Sequence, residues 1–87
     1  MKVTMVKKRL SDGSECRKCG EATVFLKEKG VWDMIDTIVW FEENNAQSDG
    51  ALLAAQHKME RAPFFIIERF GRDAEVIDSV MRAYRML

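Results

Sequence analysis

Ser14-Glu15-Cys16-Arg17-Lys18-Cys19-Gly20 holds both cysteines of this 87-residue chain, separated by two residues. The pair follows a short apolar run and opens an amphipathic one. A C-x-x-C between a strand pattern and a helix pattern points first to thiol–disulfide chemistry. The flanking segments are therefore read for the platform such a pair requires.

Upstream, Val3-Thr4-Met5-Val6 is apolar and rich in β-branched residues, which predicts a strand over residues 2–7. Lys7, Lys8 and Arg9 then fall at or beyond its end, with Leu10 as an anchor. Ser11-Asp12-Gly13-Ser14 is loop chemistry. Downstream, Cys19, Ala22, Phe25 and Leu26 recur at helical spacing, so a helix begins near Cys16 and stops at Gly30. Cys16 in the first turn lies beside unpaired backbone N–H groups and the positive end of the helix dipole, whereas Cys19, one turn on, faces inward. Arg17 and Lys18 add cations that favour a thiolate at Cys16; Glu15 opposes them.

The rest of the chain supplies the platform. Met34 to Phe41 reads as a second strand, with Val31 and Trp32 in the connection before it. Glu42 to Asp49 is a polar loop in which Ser48 or Asp49 caps a helix over residues 49–60. Ala51, Leu52, Ala55 and Met59 share one face of that helix, with His57 nearly opposite. Arg61-Ala62-Pro63 breaks it, and Phe64-Phe65-Ile66-Ile67 suits a strand buried on both faces. A turn at Arg69 to Arg72 leads to a last segment with two readings. Ala74 to Ile77 forms a closing strand before a helix capped by Ser79, which we prefer, or the stripe Val76, Ile77, Val80, Met81, Tyr84 and Leu87 makes one helix. The preferred order predicts a single α/β domain over residues 1–87, with a four-stranded mixed sheet and helices on both faces.

Bulk composition narrows the functional classes. Hydrophobic residues are 47% and charged residues 32%, ordinary for a globular protein. No apolar run approaches the roughly 20 residues that span a bilayer, and Met1-Lys2-Val3 opens a strand pattern rather than a signal peptide. The expected location is cytoplasmic, with no membrane partner. Net charge is zero, but residues 1–20 carry six bases against two acids. Without interleaved aromatics, this excess is weak ground for nucleic acid and reads mainly as solvated surface.

The element order, the C-x-x-C after the first strand and the lone proline directly before the third strand together resemble the glutaredoxin branch of the thioredoxin superfamily, over essentially the whole chain. The resemblance implies a thioredoxin-like, glutaredoxin-type βαβαββα fold with a cis Ala62–Pro63 bond beside Cys16. It also implies that Cys16 attacks a disulfide and Cys19 resolves the mixed disulfide. Ala62 and Pro63, flanked by Arg61, would offer backbone to an extended partner. Lys8 would take the place of a lysine that binds a substrate carboxylate, with Arg9 beside it. Asp78 and Ser79 match an acidic substrate-binding position, and Arg17 and Lys18 border the same site.

The chain departs from the glutathione-using members. Arg17 and Lys18 stand where Pro and an aromatic residue are common, Ala62 replaces the Val of a T-V-P motif, and Glu75-Val76-Ile77 precede Asp78 without a Gly-Gly pair. Glutathione is thus a doubtful ligand, and no tightly bound cofactor is expected. The expected partner is a protein disulfide or a reductase target, with the electron donor unidentified.

Blander readings stand beside these. A zinc site needs four ligands, and only His57 adds a soft donor to the two cysteines. A structural disulfide across two residues constrains the unfolded chain little. Pro63 by itself is a helix stop, and His57 by itself is a surface residue rather than a base. Trp32, Trp40, Phe64 and Phe65 read as core. The alternative to an oxidoreductase is a non-catalytic binding module of this fold, or an iron–sulfur carrier that uses Cys16 between two subunits.

Overall fold

A computed structural model describes residues 1–87. The central strand β1 (Lys2–Arg9) pairs in parallel with β2 (Thr37–Glu42) and antiparallel with β3 (Phe64–Glu68). Beyond β3 lies antiparallel β4 (Glu75–Ile77), giving the order β2-β1-β3-β4. Three helices, α1 (Arg17–Glu28), α2 (Asp49–Gln56) and α3 (Val80–Met86), complete an α/β architecture with a four-stranded mixed sheet.

Strand alternation divides the core between the two faces. Val3 and Met5 of β1 join Phe65 and Ile67 of β3 against Ala22 and Leu26 of α1 and Ala83 of α3. Val6, Phe64 and Ile66 point the other way, toward Ala54 of α2. Phe64 to Ile67 are all buried, as the unbroken apolar run requires. The register pairs Met5 with Phe65 and Val6 with Phe64. A slip of one residue would send each of these side chains to the wrong face.

Several expected boundaries shift, each for a physical reason. β1 runs to Arg9 rather than ending near Lys7, because Lys8 and Arg9 continue the ladder against Phe41 and Glu42. Lys7 is consequently inside the strand and only 6% exposed. β2 begins at Thr37 instead of Met34, since Trp32–Met34 form a 3-10 turn. Asp36 closes that entry: its N–H donates to the Val3 carbonyl at 2.9 Å, and its carboxylate accepts the Val3 N–H at 2.7 Å. Val31 and Trp32 pack on the core from the connection, as does Ile35, whose apolar side chain makes the start of the segment read as strand.

α2 stops at Gln56, short of residue 60, because Lys58 adopts φ 57° and Met59 N–H turns back to the Ala54 carbonyl at 2.8 Å. The left-handed region costs a residue with a side chain about 1–2 kcal/mol, and helix ends of this kind favour glycine. Lys58→Gly is therefore expected to stabilise the fold by ~0.5–1 kcal/mol, after the entropy glycine adds to the unfolded chain. An unchanged or lower midpoint in urea unfolding would contradict this.

The inward face of α2 also differs from the expected one. Gly50, Ala51 and Ala54 are buried, while Leu52 and Ala55 are exposed. The helix N-terminus lies so close to β2 that a Cβ on Gly50 would sit 2.4 Å from Phe41 N and 2.5 Å from Trp40 C. Small residues face the sheet because larger ones do not fit. Ser48 secures this junction, its Oγ accepting the Ala51 N–H at 3.3 Å and the Glu42 N–H at 3.0 Å.

The last segment is a strand followed by a helix, as preferred, and Ser79 Oγ caps α3 by accepting the Arg82 N–H at 3.3 Å. The Ala62–Pro63 peptide bond is cis. No helix is long and apolar enough to cross a membrane.

Candidate functional site

The two cysteines hang from one residue of the central strand. Lys8 accepts the Cys16 N–H on its carbonyl at 2.8 Å, and its own N–H donates to Cys19 Sγ at 3.2 Å. The loop 10–15 folds over this clip, tied by Leu10 N–H to the Ser14 carbonyl at 2.7 Å. Asp12 shapes the loop by accepting both the N–H and the hydroxyl of Ser14, bonds that hold its carboxyl below the usual carboxylate range.

Cys16 is the N-cap of α1, with φ −57° and ψ 138°, and its side chain makes no capping bond. The residue is half-exposed, with its sulfur free of a capping bond at the positive end of the helix. Cys19, in the first turn, is fully buried. Burial, the largest cause, pushes its thiol up to about 11; the Lys8 N–H opposes it, and Cys16 and Glu15 add smaller upward contributions. The cysteines approach to 4.2 Å, and both thiols are free. Bond formation needs the sulfurs about 2 Å apart, so closure is a local movement.

Beside α1 runs a groove of about 440 Å³ lined by Lys18, Glu21, Ala22, Phe25, Pro63, Asp78 and Val80. Three of the residues expected at the site, Lys18, Pro63 and Asp78, therefore meet around one space. Arg61 joins Asp78 in an adjoining cleft, and Ala62 is half-buried between Arg61 and Pro63. Phe25 forms the wall of the groove and is braced edge-on by Tyr84 of α3, with ring centroids 5.6 Å apart. Ala22, Phe25, Pro63 and Val80 give the space an apolar lining, and Lys18, Glu21 and Asp78 supply charge of both signs.

Other expected site residues have different duties. The Lys8 side chain leaves the groove for Glu43 and the Phe41 ring, so Lys8 serves the cysteines through its backbone alone. Arg9 pairs with Glu42 at 2.8 Å and stacks on Trp40. Arg17 pairs with Glu21 on the helix surface at 3.1 Å. Ser79 spends its hydroxyl on the α3 cap. His57 lines a separate hollow, with Thr4, Val39 and Ile66, on the α2 side of the sheet. No group of three or more His, Cys, Asp or Glu side chains converges as a metal site would require.

Two groove residues, and one ion pair beside the cysteine loop, are not expected at the site from the sequence. Glu21 and Val80 line the groove; Glu21 is one turn beyond Lys18 on α1, so helical phase was a usable signal. Lys7 and Glu15 form a largely buried ion pair beside the cysteine loop. Nothing in the local pattern announces it, since a lysine in a basic run is normally solvated. No family description, curated protein or solved structure is significantly similar to the chain.

Proposed function

We propose that this chain is a small dithiol–disulfide oxidoreductase with a thioredoxin-like, glutaredoxin-type fold, acting on protein or mixed disulfides in a reducing cytoplasm. The observation that carries the reading is the inequality of the two cysteines: Cys16 is half-exposed at a helix start, while Cys19 is enclosed one turn away. Such a pair suits attack by one thiol and release by the other.

Cys16, as thiolate, displaces one sulfur of a partner disulfide and forms a mixed disulfide. Cys19 then attacks Cys16 Sγ, its proton passes to the departing sulfur, and the second partner thiol is released. The partner gains two electrons, and Cys16–Cys19 is left oxidised, to be reduced by a second thiol donor. The groove beside Pro63 receives the partner segment, and the backbone at Ala62 pairs with an extended chain.

Cys19→Ser is expected to accumulate a covalent adduct with its partner at Cys16, since the resolving step is removed. Cys16→Ser is expected to reduce disulfide-exchange activity to background and to form no adduct. The test is non-reducing electrophoresis of the two variants alongside an insulin-reduction assay. Failure of the wild-type pair to cycle between dithiol and disulfide would reject the proposal, and a brown colour on purification lost in Cys16→Ser would favour the cluster carrier instead.

A further inference from the structure

β1 carries one cation into the interior. Lys7 lies 5.0 Å from the Trp40 ring centroid and 5.8 Å from that of Trp32, and its ammonium pairs with Glu15. An ammonium this enclosed needs a counter-charge, because an interior charge left unpaired is strongly destabilising. Glu15 is constrained at two further points. Its backbone bridges to Arg9, and its Oε2 lies 3.1 Å from where a Cβ on Gly20 would be. The carboxylate therefore rests against the residue that follows Cys19, in space that a glycine leaves open.

The other charges around the first turn of α1 are turned elsewhere. The Lys8 ammonium goes to Glu43, the Arg9 guanidinium to Glu42 and the Arg17 guanidinium to Glu21, while Lys18 is exposed at the groove. Lys7–Glu15 is the pair left to act on the enclosed sulfur, alongside Cys16 itself. A fixed carboxylate disfavours a second negative charge nearby, and an ammonium bound to it weakens that effect.

We propose that the Lys7–Glu15 pair governs the second step of the exchange: Glu15 restrains Cys19 from closing on the mixed disulfide at Cys16, and Lys7 limits that restraint. The inference rests on the oxidoreductase reading of the cysteine pair. In the step concerned, Cys19 gives up its proton and bonds Cys16 Sγ, the bond from Cys16 to the partner sulfur breaks, and that sulfur takes up a proton. The partner disulfide is the only oxidant needed. Lys7 and Glu15 are positioning residues, since neither bonds the reacting sulfurs.

The closing rate decides the matter. Wild type, Glu15→Gln, Lys7→Met and the double variant are each loaded at Cys16 with a chromogenic aryl thiol, and release of the coloured thiolate is followed near neutral pH. Glu15→Gln is expected to close faster, by about threefold for each tenfold gain in Cys19 thiolate, because nucleophilicity falls as the thiol becomes more acidic. Lys7→Met is expected to close more slowly, and the double variant to match Glu15→Gln. A Glu15→Gln rate equal to wild type overturns the proposal, and a slower one also overturns it by making Glu15 a proton acceptor.

Ultraviolet titration of Cys19 in a Cys16→Ser background supplies a readout that needs no turnover. Glu15→Gln should lower the titration midpoint, and an unchanged midpoint overturns the proposal whether or not Lys7→Met folds. If wild type never closes while the midpoint still moves, the oxidoreductase reading fails and the closing-rate proposal fails with it. The electrostatic link itself would still stand.

Discussion

Gly50→Ala is expected to destabilise the protein by on the order of 3 kcal/mol, although the substitution sits inside a helix where alanine is normally favoured. Helix propensity alone would stabilise the variant by about 1 kcal/mol. Against this, the new methyl would lie 2.4 Å from Phe41 N and 2.6 Å from the Trp40 carbonyl oxygen. Backbone atoms of a paired strand cannot swing aside as the end of a side chain can, so α2 must move off the sheet. That movement loosens Ala51 and Ala54 together, and overpacking in such places costs about 1–3 kcal/mol or more. Urea unfolding followed by circular dichroism measures the outcome. A variant as stable as wild type would show that the approach of α2 to β2 is not tight in solution.

The second large effect is alkaline. Cys19 ordinarily ionises near 9.0 and in the folded protein is pushed up to about 11, chiefly by burial. Below about 9, both folded and unfolded chains keep this proton, and the thiol makes stability neither rise nor fall. Between about 9 and about 11, the unfolded chain releases the proton while the folded one retains it, so stability falls as pH rises. The loss attributable to Cys19 is on the order of 2 kcal/mol across that window. The measurement is the difference between wild type and Cys19→Ala, each unfolded at a series of pH values, which isolates the thiol. Cys19→Ala should be less stable at neutral pH because of the cavity, and the gap should narrow toward pH 11. Parallel curves would show that the Cys19 thiol ionises alike in both states.

The features legible in the sequence are those carried by local period and local punctuation. Cys16 at a helix start followed from the stripe Cys19, Ala22 and Leu26, and the two-faced burial of Phe64 to Ile67 followed from an unbroken apolar run. Ser48 and Ser79 were recognisable as caps because their hydroxyls precede the helical pattern. The errors arose where a distant partner overrides the local pattern. Met34 and Ile35 continue the apolar pattern of β2, yet Met34 ends a 3-10 turn and Ile35 packs on the core from its exit.

On α2, apolar size points to Leu52 beside Ala51, whereas close approach of a backbone selects Gly50. At the site, Lys18, Pro63 and Asp78 come from three separate elements yet line one groove. The enclosed lysine was invisible for a related reason. Its aromatic neighbours Trp32 and Trp40 lie some thirty residues along the chain, and their placement depends on the parallel pairing of β1 with β2.

The hydroxyl of Ser48 has a role beyond capping. β2 is an outermost strand, and the segment Ile38-Val39-Trp40-Phe41 is the kind that recruits matching strands from other molecules. Ser48 occupies the Glu42 N–H, and the start of α2 lies against Trp40 and Phe41, so the far end of this edge is covered. Part of the outer edge of β2 is thus closed from within the chain by one loop hydroxyl and the glycine two residues after it.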